Sequence, residues 1–245
     1  MLHVPGYYEY CCRVKVVAGH DVLERIPAIL ERVHATRPMI VTDRGVAGAG
    51  LIDVLTAAMG DQVDIGGIED DVPPDSSIEA VRRIAEAYRS NRCDALIAVG
   101  GGSVLDTAKG ANIMVSEETD DLMAFSGAGA LKHRLKPLIA IPTTAGTGSE
   151  TTLVAVIKDH ERHQKMPFVS YFLLPDAALL DSRMTLTLPP NVTGRVYIPK
   201  CSGKGNTVLL NGREVSATDG GTYLCLGDIG SGIHLIERHI PCEHP

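Results

Sequence analysis

Short apolar runs alternate with amphipathic helical stretches through most of this chain, and that alternation constrains the fold more than any other feature. Ala95-Leu96-Ile97-Ala98-Val99 and Pro137-Leu138-Ile139-Ala140-Ile141 carry no polar side chain, as strands do when helices cover both faces of a sheet. Met39-Ile40-Val41-Thr42-Asp43 is a third such run, ending in an acid. Leu51 to Met59 reads as an apolar helix. Ser77 to Arg89 places Ile78, Val81, Ile84, Ala85 and Tyr88 at helical spacing, after the breaker Pro73-Pro74-Asp75. Residues 1–192 are therefore expected to form an α/β domain, a doubly wound parallel sheet with right-handed crossovers.

The pattern changes near Pro189-Pro190-Asn191. Residues 193–245 are rich in glycine and β-formers without helical periodicity, and are expected to form a short β-rich or irregular tail. Thr207 to Val215 reads as a hairpin because Asn211-Gly212 suits a type I′ turn. Thr222 to Leu226 and Ile233 to Ile236 are further candidate strands.

Two loops carry the chemistry. The first is Val99-Gly100-Gly101-Gly102-Ser103-Val104-Leu105-Asp106, three glycines between an apolar strand and a helix. Glycines admit a pyrophosphate close to the backbone, and the helix that follows offers free N–H groups and the positive end of its dipole. Ser103 and Asp106 stand at capping-box spacing, which by itself explains both without a ligand. The second loop, Ile141-Pro142-Thr143-Thr144-Ala145-Gly146-Thr147-Gly148-Ser149-Glu150, brings hydroxyls and N–H groups to another strand end. In an open parallel sheet the carboxyl ends of the strands share one crevice, so the pair of loops points to dinucleotide binding. Asp43 is placed either to hold a ribose hydroxyl or to cap the next helix. The usual fingerprint puts the glycines about 20 residues before such an acid, whereas here they follow it.

Composition closes off other classes. The net charge of −7 leaves no basic stripe for nucleic acid. With no tryptophan and only three phenylalanines there is no stacking platform for single strands. No run of about 18 apolar residues is present, so no membrane span is expected. The N-terminus lacks the features of a signal peptide, and a cytoplasmic location is the default expectation. The six cysteines form no CxxC pair and read as reduced thiols, with Cys11-Cys12 assigned to a strand. Ser149 lies in no Gly-x-Ser-x-Gly elbow. His160 and His163 belong to a polar run, Lys158 to His163, read as a solvated turn. His234, His239, Cys242 and His244 crowd the C-terminus but fit no standard zinc spacing.

With both loops in hand, the chain resembles the N-terminal half of the iron-containing (group III, metal-dependent) alcohol dehydrogenases. The resemblance runs from about Tyr7 to Pro190. It is carried by Val41-Thr42-Asp43, Gly100-Gly101-Gly102-Ser103 with Asp106 and Lys109, the Ile141 to Glu150 loop, and Leu174-Pro175-Asp176-Ala177-Ala178-Leu179-Leu180-Asp181. It implies NAD(P)-dependent interconversion of a small alcohol and its aldehyde or ketone. It assigns Asp43 to the adenosine ribose, with NAD favoured over NADP. Gly100, Gly101, Gly102, Ser103 and Asp106 fall to the pyrophosphate turn, and Thr143, Thr144, Thr147 and Ser149 to the length of the cofactor. Lys165 matches a cofactor-contacting lysine, and Leu179 or Leu180 the adenine wall. Pro73-Pro74-Asp75 departs from the family's Pro-Asn-Pro.

Members of the family hold Fe²⁺ or Zn²⁺ through an Asp-x-x-x-His pair and two later histidines in a helical domain, where the ion polarises the alcohol oxygen. After Pro189-Pro190-Asn191-Val192-Thr193 this sequence continues Gly194-Arg195-Val196-Tyr197, and none of those ligands carries over. No metal ligand and no catalytic residue is therefore assigned. The expectations are an impaired, truncated NAD-dependent alcohol dehydrogenase or, alternatively, a catalytically silent NAD(H)-binding module or frame-shifted fragment. Homo-oligomerisation stays open.

Overall fold

In a computed structural model the described residues are 13–159 and 164–184, together with the strands named below beyond residue 193. The chain divides into two compact units, Met1–Thr185 and Leu186–Pro245. In the first unit six strands form one parallel sheet: β1 (Lys15–Gly19), β2 (Pro38–Val41), β3 (Gly67–Glu69), β4 (Ala95–Gly100), β6 (Leu138–Pro142) and β9 (Ala177–Asp181). Their order across the sheet is β1-β9-β6-β4-β2-β3. β5 (Gly127–Ala128), β7 (Val154–Asp159) and β8 (Gln164–Val169) form a second, smaller sheet.

Alternate residues of each central strand face opposite sides, so the buried runs feed two cores. On one side Leu96, Ala98, Leu138 and Ala140 pack with α4 (Ile78–Ser90) and α5 (Gly102–Ser116). On the other, Ile97, Val99, Ile139, Ile141 and Leu179 pack with α1 (Ile26–Arg32), α2 (Arg44–Gly48) and α3 (Leu51–Met59). This is the expected doubly wound α/β arrangement. The helix expected from Ser77 begins there because Ser77 Oγ accepts from Ala80 N at 3.2 Å, a side-chain N-cap. Among the described residues no helix is long and apolar enough to cross a membrane.

Helix α5 is the central one, buried along almost its whole length. α4 lies on one side of it and the β7–β8 hairpin on another, with Gly110 between Val81 and Ile157. A Cβ there would stand 2.9 Å from Val81 Cγ2 and 3.2 Å from Ile157 Cδ1.

Beyond residue 193, β10 (Gly194–Pro199), β14 (Tyr223–Ile229) and β13 (Thr218–Asp219) form one antiparallel sheet. β11 (Thr207–Leu210), β12 (Arg213–Val215) and β15 (Ile236–His239) form another. The expected hairpin is present, with Leu210 opposite Arg213 across Asn211-Gly212. The strand expected from Ile233 to Ile236 falls outside the described residues except at Ile236, where the described strand Ile236–His239 begins its pairing with β11. Cys11, Cys12, His160, His163, His234, Cys242 and His244 lie outside the described residues, as does the side chain of His239.

Filling the α4–α5 contact tests this packing. Gly110→Leu should lower unfolding stability by about 1–3 kcal/mol, the usual cost of overpacking. The urea midpoint read by circular dichroism would show it, and an unchanged midpoint would mean the helices separate freely at this point.

Candidate functional site

The two loops meet at the carboxyl edge of the large sheet. β4 and β6 are neighbours, with Gly100 opposite Pro142, so both chains leave the sheet side by side. Thr143 N then donates to Gly100 O at 3.1 Å, and the loop 143–149 lies directly on the glycine turn. A Cβ at Gly100 would stand 2.6 Å from Val104 Cγ2, one at Gly101 3.3 Å from Thr144 Oγ1 and one at Gly102 3.1 Å from Thr147 Cγ2. The turn needs its glycines because the chain doubles back onto α5 and under the second loop. The neighbouring strand is tied in as well, through Thr42 Oγ1 donating to Val99 O at 2.8 Å.

The start of α5 differs from the expected capping box. Its N-cap is Gly101, with no side-chain cap. Ser103 instead lies inside the helix, where its Oγ accepts from Asp75 N at 3.2 Å and its carbonyl accepts from Ser76 Oγ at 3.1 Å. The turn closes on glycine so tightly that the helix begins before the serine. Asp106 reaches sideways: Oδ1 accepts from Ser149 Oγ at 2.7 Å and Oδ2 from Val156 N at 2.9 Å.

One turn further along α5, Lys109 completes the clamp. Its side chain is buried, and Nζ donates to the carbonyls of Ser149 (2.7 Å), Thr152 (2.9 Å) and Val154 (2.9 Å). An ammonium has three N–H donors, so the three carbonyls saturate it. Burial pushes its pKa down to about 8, against the opposing pull of the Asp106 and Glu150 carboxylates. In the sequence Lys109 stands out only as part of a motif. The signal for its role was there, since Asp106 and Lys109 are three apart and share a helix face.

The remaining predicted residues divide by exposure. Thr144 and Thr147 are open, whereas Thr143 and Ser149 are buried. Ser149 Oγ is engaged internally, donating to Asp106 and lying 3.2 Å from Lys109 Nζ. Asp43 takes the capping alternative at least in part: Oδ1 accepts from Val46 N at 2.9 Å at the start of α2. Leu179 points into the core and is fully buried, while Leu180 is 37% exposed. Strand alternation therefore turns Leu180, not Leu179, toward a crevice of about 620 Å³ lined also by Gly19, His20, Pro142, Thr144, Glu150 and Ser182. Lys165 stands at a second, smaller hollow of about 140 Å³, with Asp75, Ser76, Ser103, Asp106 and Lys158. Asp75 lies 3.7 Å from both Lys158 Nζ and Lys165 Nζ. Lys158 and Asp159 are not part of a turn, because both belong to β7, where Lys158 N donates to Ser76 O at 2.6 Å.

The family model for iron-containing alcohol dehydrogenases matches residues 14–182. The chain belongs to that family. It is 40% identical over 169 residues to 4-hydroxybutyrate dehydrogenase of Cupriavidus necator, covering 66% of this chain and 43% of the relative. NAD-dependent methanol dehydrogenase of Bacillus methanolicus is 30% identical over 177 residues, covering 72% of this chain and 46% of the relative. Among solved structures, alcohol dehydrogenase from Oenococcus oeni superposes with a TM-score of 0.69 at 33% identity, covering 75% of this chain and 48% of that one. The chain thus spans about half the length of the iron-containing alcohol dehydrogenases it matches.

Among the described residues no group of three or more His, Cys, Asp or Glu side chains is placed to hold an ion. Asp176 pairs with Arg134 and accepts from Leu138 N at 3.0 Å. Asp181 accepts from Leu23 N at 3.1 Å and from Arg183 Nη2 at 2.8 Å. Burial pushes its pKa up, but the Arg183 guanidinium and the backbone N–H groups of Arg183 and Leu23 prevail and hold it at about 2. These acids serve as struts, and the described residues do not fit the metal.

Lys109 makes the clamp pH-dependent. The usual lysine pKa is 10.5 and the native one about 8, so between those values the unfolded chain binds one more proton. Stability from this residue therefore rises with pH through that window. Lys109→Met should cost about 3 kcal/mol at neutral pH by orphaning buried carbonyls. The gap between wild type and variant, read by urea unfolding, should widen above pH 8 by at most about 1.4 kcal/mol per pH unit. A constant gap would mean that Lys109 titrates normally.

Proposed function

We propose that this chain binds NAD(H) along the carboxyl edge of the large sheet and serves hydride transfer between that cofactor and a small alcohol or aldehyde. The observation that carries the reading is the clamp from α5, in which Asp106 and Lys109 pin the second loop over the glycine turn. Such a clamp holds two sets of N–H and hydroxyl groups rigidly at one strand crossing, which is what an extended diphosphate requires. The nicotinamide ring, when bound, supplies the hydride acceptor. Gly101, Gly102 and Ser103 would take the pyrophosphate, and the exposed Thr144 and Thr147 would lie along it. Asp43 would take the adenosine ribose with the carboxylate oxygen not used for capping, and its charge would repel a 2′-phosphate. The substrate class follows the relatives, which act on methanol and on 4-hydroxybutyrate by name.

A second reading, a catalytically silent NAD(H)-binding module, is favoured by Asp176 and Asp181 both being spent on arginine pairs. It predicts NADH binding without turnover of short alcohols, whereas the first reading predicts turnover.

Two variants test the cofactor reading. Gly102→Asp places a carboxylate where the diphosphate would lie and should weaken NADH binding more than tenfold, by fluorescence titration, with the native circular dichroism spectrum retained and the unfolding midpoint lowered as Thr147 gives way to the new Cβ. Unaltered binding would sink the reading. Asp43→Ser keeps a capping oxygen but removes the charge, and should narrow the preference for NADH over NADPH by roughly tenfold. A preference that survives intact would remove Asp43 from cofactor selection.

A further inference from the structure

A hollow of about 270 Å³ opens at the amino edge of the large sheet. Arg13, Lys136 and Asp176 line it, each one or two residues before a strand: β1 from Lys15, β6 from Leu138 and β9 from Ala177. These strands run parallel to one another and to β4. The glycine turn and the Thr143 to Glu150 loop therefore lie at the opposite edge.

Charge in this hollow runs against the rest of the chain. The protein carries a net −7, yet Arg13, Arg134 and Lys136 gather here around a single acid, Asp176. That acid is already spent, paired with Arg134 and accepting from Leu138 N at 3.0 Å. Among the described residues no ion pair engages Arg13 or Lys136, and the Arg13 guanidinium lies 5.3 Å from the centroid of the Tyr171 ring. Two cations are left without a counter-charge, which an anion would supply.

The walls narrow the choice of anion. Leu135, Leu138, Phe172 and Leu174 make the rest of the lining apolar, and Phe172 is 37% exposed. Inorganic phosphate would use the cations and leave this surface wet, whereas a ring would cover it. The volume is at the small end of ligand sites, so it suits one ring and not a nucleotide. Both sides of the hollow are held in place. Asn112 accepts from Lys136 N at 3.1 Å and donates to Lys136 O at 2.8 Å, and Ser170 N, just before Tyr171, donates to Leu153 O at 3.0 Å.

We propose that this hollow binds a small aromatic carboxylate. The carboxylate pairs with Arg13 and Lys136, and the ring packs against Phe172 and the leucines. The site is separate from the dinucleotide edge and stands independently of the cofactor reading.

The experiment is calorimetric titration of the full chain with benzoate and with benzamide, which keeps the ring and lacks the charge. Wild type should bind benzoate at least about tenfold more tightly, as expected of charge-assisted hydrogen bonds. The double variant Arg13→Gln with Lys136→Gln should bring the two ligands to within about threefold. Both side chains are exposed, so the native circular dichroism spectrum should be retained. Equal binding of the two ligands, no binding of benzoate, or a preference that survives both substitutions overturns the proposal. So does inorganic phosphate binding as tightly as benzoate, because the ring would then contribute nothing. Displacement of benzoate by NADH also overturns it, since the anion would then sit at the cofactor edge. The wild-type comparisons stand even if the double variant does not fold.

Discussion

One buried ammonium organises the carboxyl edge of this protein. Lys109 rises from the middle of α5 and donates to three carbonyls of the segment from Ser149 to Val154. Without it those carbonyls would be buried and unpaired, and Asp106 would be left to hold the segment between β6 and β7 against the helix. Asp106, one turn earlier, takes Ser149 Oγ and Val156 N. The two side chains have opposite charge and lie close, which offsets part of the cost of placing either away from water. A polar clamp of this kind is directional where an apolar contact is not, and direction is what a loop with many glycines lacks by itself.

The clamp also explains why α5 is so unusual a helix. It is buried almost throughout, and its one long polar face is spent inside the protein. Gly110 allows α4 and the β7–β8 hairpin to close on it. Asn112 extends the polar face, accepting from Lys136 N and donating to Lys136 O, and so ties the start of β6 to the same helix. Loop, strand and glycine turn are then referred to a single rigid element. Membership of the iron-containing alcohol dehydrogenase family fits that economy, since the matched region, residues 14–182, ends just past the last strand of the sheet.

The site was only partly legible. Gly100 to Gly102 and the Thr143 to Glu150 loop stood out because glycine runs and hydroxyl runs at strand ends are local patterns. Ser103 and Asp106 also stood out, but for the wrong reason: their spacing matched a capping box, while the structure uses Asp106 across the fold to Ser149 and Val156. Leu179 and Leu180 are adjacent, and only the pairing of β9 between β1 and β6 determines which one is buried. Lys158 looked like part of a hydrophilic turn until antiparallel pairing with Lys165 placed it in a strand.

The sequence by itself determined the layered α/β class, the alternation of its elements and the loops that bear the chemistry. Those properties follow from periodicity and from the backbone demands of glycine, which act over a few residues. Tertiary structure alone decided that Lys109 is a clamp, that Ser149 is occupied internally, that Leu180 faces the crevice and that Glu150 Oε2 is left without a partner among the described residues. Each of these depends on what lies opposite a side chain, often some 40 residues away along the chain, and no local pattern encodes the partner.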